Sequence, residues 1–274
     1  MRHLHISTII GSTLDQETQI ALIKKTGFDG FFTSYEGTEP IDSWAKAAQK
    51  NHLTFETVHG PFAYANRMWE DGERGDQYLA FLKSTIDVCR RIEVDKYILH
   101  VTVGNSAPPV STQGLERFRQ LCDYAKSTGG SICFENLEPL PHLEAVMDFI
   151  QDQYHGFCWD IGHNACYSPH INMLDKYGLR LKCLHIHDNR GITRPGDIDY
   201  RDDLHLLPFD GILDWKWLTG RLRAWNYDGP ITLEVSCLGS AGYQRMTAEE
   251  YLAEAYKRAQ MLRDLIDCGS LPPC

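Results

Sequence analysis

The stretch 157–164, FCWDIGHN, leads an aspartate and a histidine out of a short apolar run, and the same event recurs along the chain. LTFETVH ends in His59, KYILHVT carries His100, SICFENL holds Glu135 and GFCWD ends in Asp160. LKCLHIH contains His185 and His187, and PITLEVS contains Glu234. His163 follows the Asp160 run, and Asp203 and His205 sit in a long irregular segment. An uncompensated buried carboxylate costs several kcal/mol. Carboxylates at the same end of three strands would also repel one another. A divalent cation between them removes both penalties, and carboxylate oxygen mixed with imidazole nitrogen suits Mg, Mn, Co or Zn. A single strand histidine is more often a hydrogen-bonded core residue. Six consecutive strands ending in ligand-type residues point instead to a metal site.

The elements that must position these residues alternate. Strands are expected at 3–9, 27–34, 53–59, 96–102, 131–137, 156–160, 181–187 and 230–236. Amphipathic helical stretches lie at 15–26, 41–51, 74–92, 112–128, 142–153, 172–179, 212–225 and 247–267. The last opens with Thr247 as N-cap and Glu250 three residues on, a capping-box spacing. Eight strands alternating with eight helices, without a Pro/Ser-rich linker, predict a single (β/α)8 TIM barrel over 1–274. An open doubly wound sheet is the other arrangement of such a pattern. In the barrel, residues at the C-terminal strand ends face the active site. The segment 188–211, DNRGITRPGDIDYRDDLHLLPFDG, is too long for a plain connection and reads as a functional loop. Gly191 and Gly196 would let it close over a small ligand.

Composition bounds the rest. Apolar residues make up 43% of the 274 and charged residues 23%, the profile of a soluble globular protein. No run of about 18 apolar residues suggests a membrane span. The opening MRHLHISTIIGS reads as a first strand rather than a signal peptide, so cytoplasmic residence is expected. Nine cysteines without CxxC spacing suit a reducing compartment and core positions such as Cys133, Cys158 and Cys183. The net charge of −10 argues against a broad nucleic-acid surface. Nothing in the sequence excludes a homo-oligomer.

The ordered motifs VHGPF (58–62), YILHVTVG (97–104), FENLEP (134–139), CWDIGHN (158–164), LHIHDN (184–189), DDLHLLPFDGILDW (202–215) and TLEVS (232–236) resemble the xylose-isomerase-like TIM-barrel superfamily. That group includes sugar isomerases and epimerases and endonuclease IV. The resemblance to its epimerase branch implies one divalent ion held by Glu135, Asp160, His185 and Glu234, with His187 behind the ligands or facing outward. The resemblance to its endonuclease branch implies three zinc ions, with His59, His100, His163, Asp203 and His205 as further ligands. All nine ligand types are present.

Two classes of function follow from the resemblance. The first is a sugar or sugar phosphate isomerase or epimerase, working by proton transfer through a metal-bound enediolate. Glu135 and Glu234 match the family's acid/base pair, His163 would contact a substrate hydroxyl, Arg190 would anchor another oxygen, and Trp69 and Phe62 would stack on the sugar. The second is hydrolysis of abasic DNA by a zinc cluster. Against it, Arg67, Arg74, Arg190, Arg194 and Arg201 are interspersed with Glu70, Asp71, Glu73, Asp76, Asp197, Asp199, Asp202 and Asp203. That mixture would grip a phosphate backbone poorly. The endonuclease pattern H-x-x-Y-x-x-N is altered here to HGPFAYAN, with Phe62 in place of Tyr and Asn66 one position late. A catalytically silent small-molecule binder is a third reading, weakened by the two intact glutamates.

Overall fold

Strands form where the apolar runs lie, because successive buried side chains on both faces leave no polar alternation for a surface strand. In the computed structural model, which describes residues 2–137, 140–194 and 199–270, they are β1 (Leu4–Ser7), β2 (Gly30–Ser34), β3 (Thr54–His59) and β4 (Lys96–His100). There follow β5 (Ser131–Glu135), β6 (Gly156–Asp160), β7 (Leu181–His185) and β8 (Ile231–Leu233). The α-helices among the described residues are α1 (Gln16–Thr26), α2 (Ile41–Lys50), α3 (Glu73–Arg91), α4 (Thr112–Ser127) and α5 (Leu140–Phe149). The remainder are α6 (Ile161–Tyr167), α7 (Met173–Tyr177), α8 (Trp215–Ala224) and α9 (Ala248–Cys268).

All eight expected strands are present, in one sheet ordered β7-β6-β5-β4-β3-β2-β1-β8. A parallel bridge between Ile186 and Leu233 brings the end of β7 beside β8. Eight parallel strands alternating with helices thus form a nearly closed (β/α)8 barrel. The expected helices are present too, joined by the short α6 that helical periodicity did not announce. Two strands end earlier than their apolar runs: β7 stops at His185, so His187 lies beyond it, and Glu234 sits one residue past β8.

Two compact units can be distinguished: Met1–Phe32 with Ser43–Phe55 and Trp159–Cys274, and Thr33–Asp42 with Glu56–Cys158. In the first, α9 lays Tyr251, Leu252, Ala255, Ala259, Leu262, Leu265 and Ile266 against α1, α8, β1 and β8. Its start is fixed by the expected capping box, in which the Thr247 hydroxyl accepts from Glu250 N at 3.2 Å and the Glu250 carboxylate accepts from Thr247 N at 2.8 Å. In the second, β4 pairs with β5 in the register that sets His100 opposite Glu135. Arg117, 1% exposed, fastens the loop between β3 and α3. Its guanidinium donates to the carbonyls of Met68 (3.0 Å), Glu70 (2.5 Å) and Gly72 (3.0 Å), and to Asp76 (3.0 Å). Cys133, Cys158 and Cys183 are buried as expected.

Candidate metal centre

Strand ends supply the donors. In the second unit, β3, β4 and β5 terminate in His59, His100 and Glu135, buried to 3%, 5% and 0% exposure. The two Nε2 atoms lie 3.2 Å apart, and each is 3.4 Å from Glu135 Oε2. His59 Nδ1 is 2.8 Å from the Gly60 carbonyl, which can only accept, so Nδ1 carries the hydrogen and neutral His59 turns a lone pair toward Glu135. Lone pair facing carboxylate is repulsive unless a proton or a cation lies between. A tetrahedral ion with ligands at 2.0–2.1 Å has donor–donor edges of about 3.3 Å, and this triangle has those edges. Its donors fit a divalent metal.

A second group forms within the first unit. His163 Nε2 and His205 Nε2 stand 3.1 and 3.3 Å from Asp203 Oδ2, and His187 Nδ1 is 3.8 Å from Asp203 Oδ1. The donor atoms of these four residues lie within 4.8 Å of one another. His205 Nδ1 donates to the Glu234 carbonyl at 3.0 Å, which again leaves Nε2 as the lone-pair nitrogen. Burial alone would lower the His205 pKa, but the charge of Asp203 overrides it and raises it to about 9. Burial would likewise raise Asp203, but His205 and His163 hold its carboxyl well below the usual carboxylate range. Without a metal, a proton shared by these residues does part of the work of a cation. His205 has φ 47°, a left-handed backbone conformation of the kind retained where the surroundings enforce it.

The remaining expected ligands also lie in the first unit. His185 Nδ1 is 3.2 Å from Glu234 Oε2, and its ring stacks on Phe32 at 4.4 Å. Asp160 both ends β6 and caps α6, accepting from His163 N at 2.5 Å. Helical capping and the placement of His163 are therefore one event: the first turn of α6 turns that imidazole toward Asp203. Asn164, the last residue of the quoted stretch, is a clasp rather than a ligand. It accepts from Trp159 Nε1 at 3.0 Å and donates to the Ser168 carbonyl at 2.7 Å.

The expected substrate-contacting residues divide. Phe62 is 37% exposed, with its ring 5.0 Å from that of His100, and Arg190 is exposed. Trp69 is 2% exposed and cannot offer a stacking face. Its Nε1 donates to the Val101 carbonyl at 2.7 Å, its ring packs on Phe118 and His142, and Gly114 admits it where a Cβ would be 2.3 Å away. Asn66, the late asparagine of HGPFAYAN, exchanges two hydrogen bonds with the backbone of Val103 and so braces the loop after β4. Gly196 and Asp197 of the long loop lie outside the described residues.

Sequence reasoning missed two buried residues, Asp188 and Asn189, as organisers of that loop. Asp188 accepts from Asn189 N, Leu213 N, Phe209 N and Trp215 Nε1 at 2.9, 3.2, 3.0 and 2.9 Å. Asn189 accepts from Leu204 N at 2.6 Å and donates to the Gly162 carbonyl at 3.1 Å. The signal was a pair of polar residues directly after the His-x-His run.

A family model described as xylose isomerase-like TIM barrel matches residues 20–264. The uncharacterized protein y4fM of Sinorhizobium fredii is 39% identical over 115 residues, 38% of this chain and 34% of that protein, so the match spans about a third of that relative. The uncharacterized protein MJ1311 of Methanocaldococcus jannaschii is 23% identical over 212 residues, 71% of this chain and 69% of the other. Among solved structures, a xylose isomerase-like TIM barrel/4-hydroxyphenylpyruvate dioxygenase fusion protein aligns with TM-score 0.78 at 16% identity, covering 99% of this chain but 45% of that one. D-psicose 3-epimerase with D-tagatose from Clostridium cellulolyticum gives 0.74 at 15% identity, covering 98% and 100%. D-allulose 3-epimerase from Methylomonas sp. gives 0.73 at 15% identity, covering 96% and 99%. At these identities the structural likeness establishes the fold. Among the described residues, no helix is long and apolar enough to cross a membrane.

Proposed function

The chain belongs to the xylose isomerase-like TIM barrel family, and from that premise we propose that it is a divalent-metal-dependent isomerase or epimerase of a sugar or sugar phosphate. One observation carries this reading: four successive strands end in ligand-type residues. Glu135 closes β5, Asp160 closes β6, His185 closes β7 and Glu234 follows β8. These four would hold the ion. When bound, it acts as a Lewis acid on the carbonyl and neighbouring hydroxyl of an open-chain sugar, offsetting the negative charge that develops there.

The protein's own groups do the rest. One of Glu135 and Glu234 takes the proton from the carbon beside the carbonyl, and the other returns a proton, which inverts the centre or relocates the carbonyl. Burial of Glu135 at 0% exposure keeps water from competing for that proton. His59 and His100 converge on the same carboxylate, each Nε2 lying 3.4 Å from its Oε2. Phe62 flanks an apolar face of the sugar, His163 receives a hydroxyl, and Arg190 anchors an outer oxygen.

Phosphodiester hydrolysis at abasic DNA is the second reading. The observation in its favour is that His59–His100–Glu135 and His163–Asp203–His205 both gather metal-type donors beyond the first four. The net charge of −10 opposes it. One experiment separates the two. Metal-loaded protein in deuterium oxide is offered a panel of ketoses and ketose phosphates, and in parallel an abasic duplex at low salt. Deuterium entering the carbon next to the carbonyl is expected. Metal-dependent strand incision without exchange into any sugar would refute the isomerase reading.

A further inference from the structure

His187 belongs to neither of the two ligand sets expected from the sequence, yet it is 0% exposed and sits against both. One edge of its ring meets Asp160, with Nε2 at 3.0 Å from Oδ1 and 3.2 Å from Oδ2. One face stacks on His205, centroid to centroid 3.9 Å and tilted by 16°. Because a metal binds an imidazole in the plane of its ring, two rings stacked face to face do not share one ion. With His205 placed by its Glu234 contact as a donor, the stacked partner is not a second one.

The groups around the ring fix its tautomer. Its Oδ1 is committed to Leu204 N at 2.6 Å, and its Nδ2 donates to the Gly162 carbonyl at 3.1 Å. The amide therefore cannot be reversed. That same Nδ2 stands 3.4 Å from both His187 Nδ1 and Asp203 Oδ1, so its second hydrogen is within reach of an accepting Nδ1. The Asp160 carboxylate, which can only accept, lies 3.0 Å from Nε2, whereas the nearest carboxylate oxygen to Nδ1 is Asp203 Oδ1 at 3.8 Å. The ring hydrogen is therefore on Nε2, aimed at Asp160. The seat is built for this ring as well: a Cβ at Gly162 would lie 2.0 Å from His187 Cε1.

We propose that His187 is a positioning residue that holds the Asp160 carboxylate in its metal-binding orientation through the Nε2 hydrogen, while its face supports the ring of His205. This rests on the reading of Asp160 as a metal ligand. A hydrogen-bonding partner behind a ligand typically contributes about 10–100-fold in metal affinity. Gly162 is then required for the ring's place rather than for helix geometry, although alanine is ordinarily the better helix former.

The test is titration of metal-free protein with Co(II) alone, followed by its visible absorption, with Asp160→Ala identifying the binding class that contains Asp160. In His187→Gln the side-chain amide nitrogen falls where Nε2 was and can donate, so affinity within about threefold of wild type is expected. In His187→Asn the amide reaches only the Nδ1 position, so a loss of about 10–100-fold is expected. Gly162→Ala, which keeps the imidazole but takes its seat, should match His187→Asn. Asn and Gln variants weakened equally would overturn the proposal, because ring packing rather than the Nε2 hydrogen would then matter. Wild-type affinity in His187→Asn would overturn it too. A wild type that binds no Co(II) would remove the metal reading itself, an outcome distinct from either.

Discussion

The stability of the metal-free protein should decline with rising pH over a window set by His205. In the metal-free protein its imidazole titrates at about 9 instead of 6.5, despite burial, because Asp203 favours the charged form. A folded-state value above the unfolded one means that the folded protein holds the proton more tightly. The stabilisation is therefore complete below pH 6.5 and is lost as pH rises toward 9. Converted by linkage, it amounts to about 3 kcal/mol. Most of it should disappear before pH 8.5. Above that, buried thiols such as Cys89, which burial pushes up to about 12, add a loss of their own. The assay is urea unfolding of chelator-treated protein at half-unit steps from pH 6 to 9. His205→Gln should flatten the profile, and so should saturating Zn(II), since the cation replaces the proton between His205 and Asp203. Stability that stays level or rises between pH 6.5 and 8.5 in the metal-free wild type would refute the charge arrangement described here.

Glu135→Gln and Glu234→Gln should each lower sugar turnover by about 10²–10⁴-fold, because an amide cannot accept the substrate proton at neutral pH. Washout of label from a deuterated ketose reads the step directly, and exchange at the wild-type rate in both variants would reduce these residues to ligands. Asp188→Ala strands four donors around a buried site and should cost about 3 kcal/mol in urea unfolding. The same variant should weaken added Zn(II) binding at Asp203 and His205, measurable by chelator competition, because the loop that carries them is fastened through Asp188.

The barrel was legible because apolar runs and helical periodicity alternate without interruption. The gathering of His59, His100 and Glu135 was legible because a carboxylate at the end of a buried strand has few tolerable surroundings. Other features depend on contacts that spacing does not record. The helix α6 is seven residues long, too short for periodicity to show, and its cap, Asp160, was readable only as a ligand. The resemblance already set His187 apart from His185 but did not show which neighbours it meets: β7 ends at His185, and the second imidazole joins a different neighbourhood. Trp69 suggested a platform in a loop. Its burial depends on Gly114, more than forty positions away, which leaves room for the indole. Asn189 carries no periodic signal, since its work is done by an amide meeting Leu204 N, Gly162 O and His187.

The bridge between Asp188 and Leu206, hydrogen-bonded in both directions at 2.8 and 2.9 Å, has an evolutionary corollary. It ties the two ends of the segment between them into a closed ring rooted beside β7. Lengthening a closed ring is cheap, because its entropy falls only with the logarithm of its length, by roughly 0.6 kcal/mol per doubling. His205 lies next to the knot, so insertions farther along the ring would not shift its register. A lineage could thus exchange the rim that greets a substrate, several residues at a time, while the donors beneath it stayed where they are.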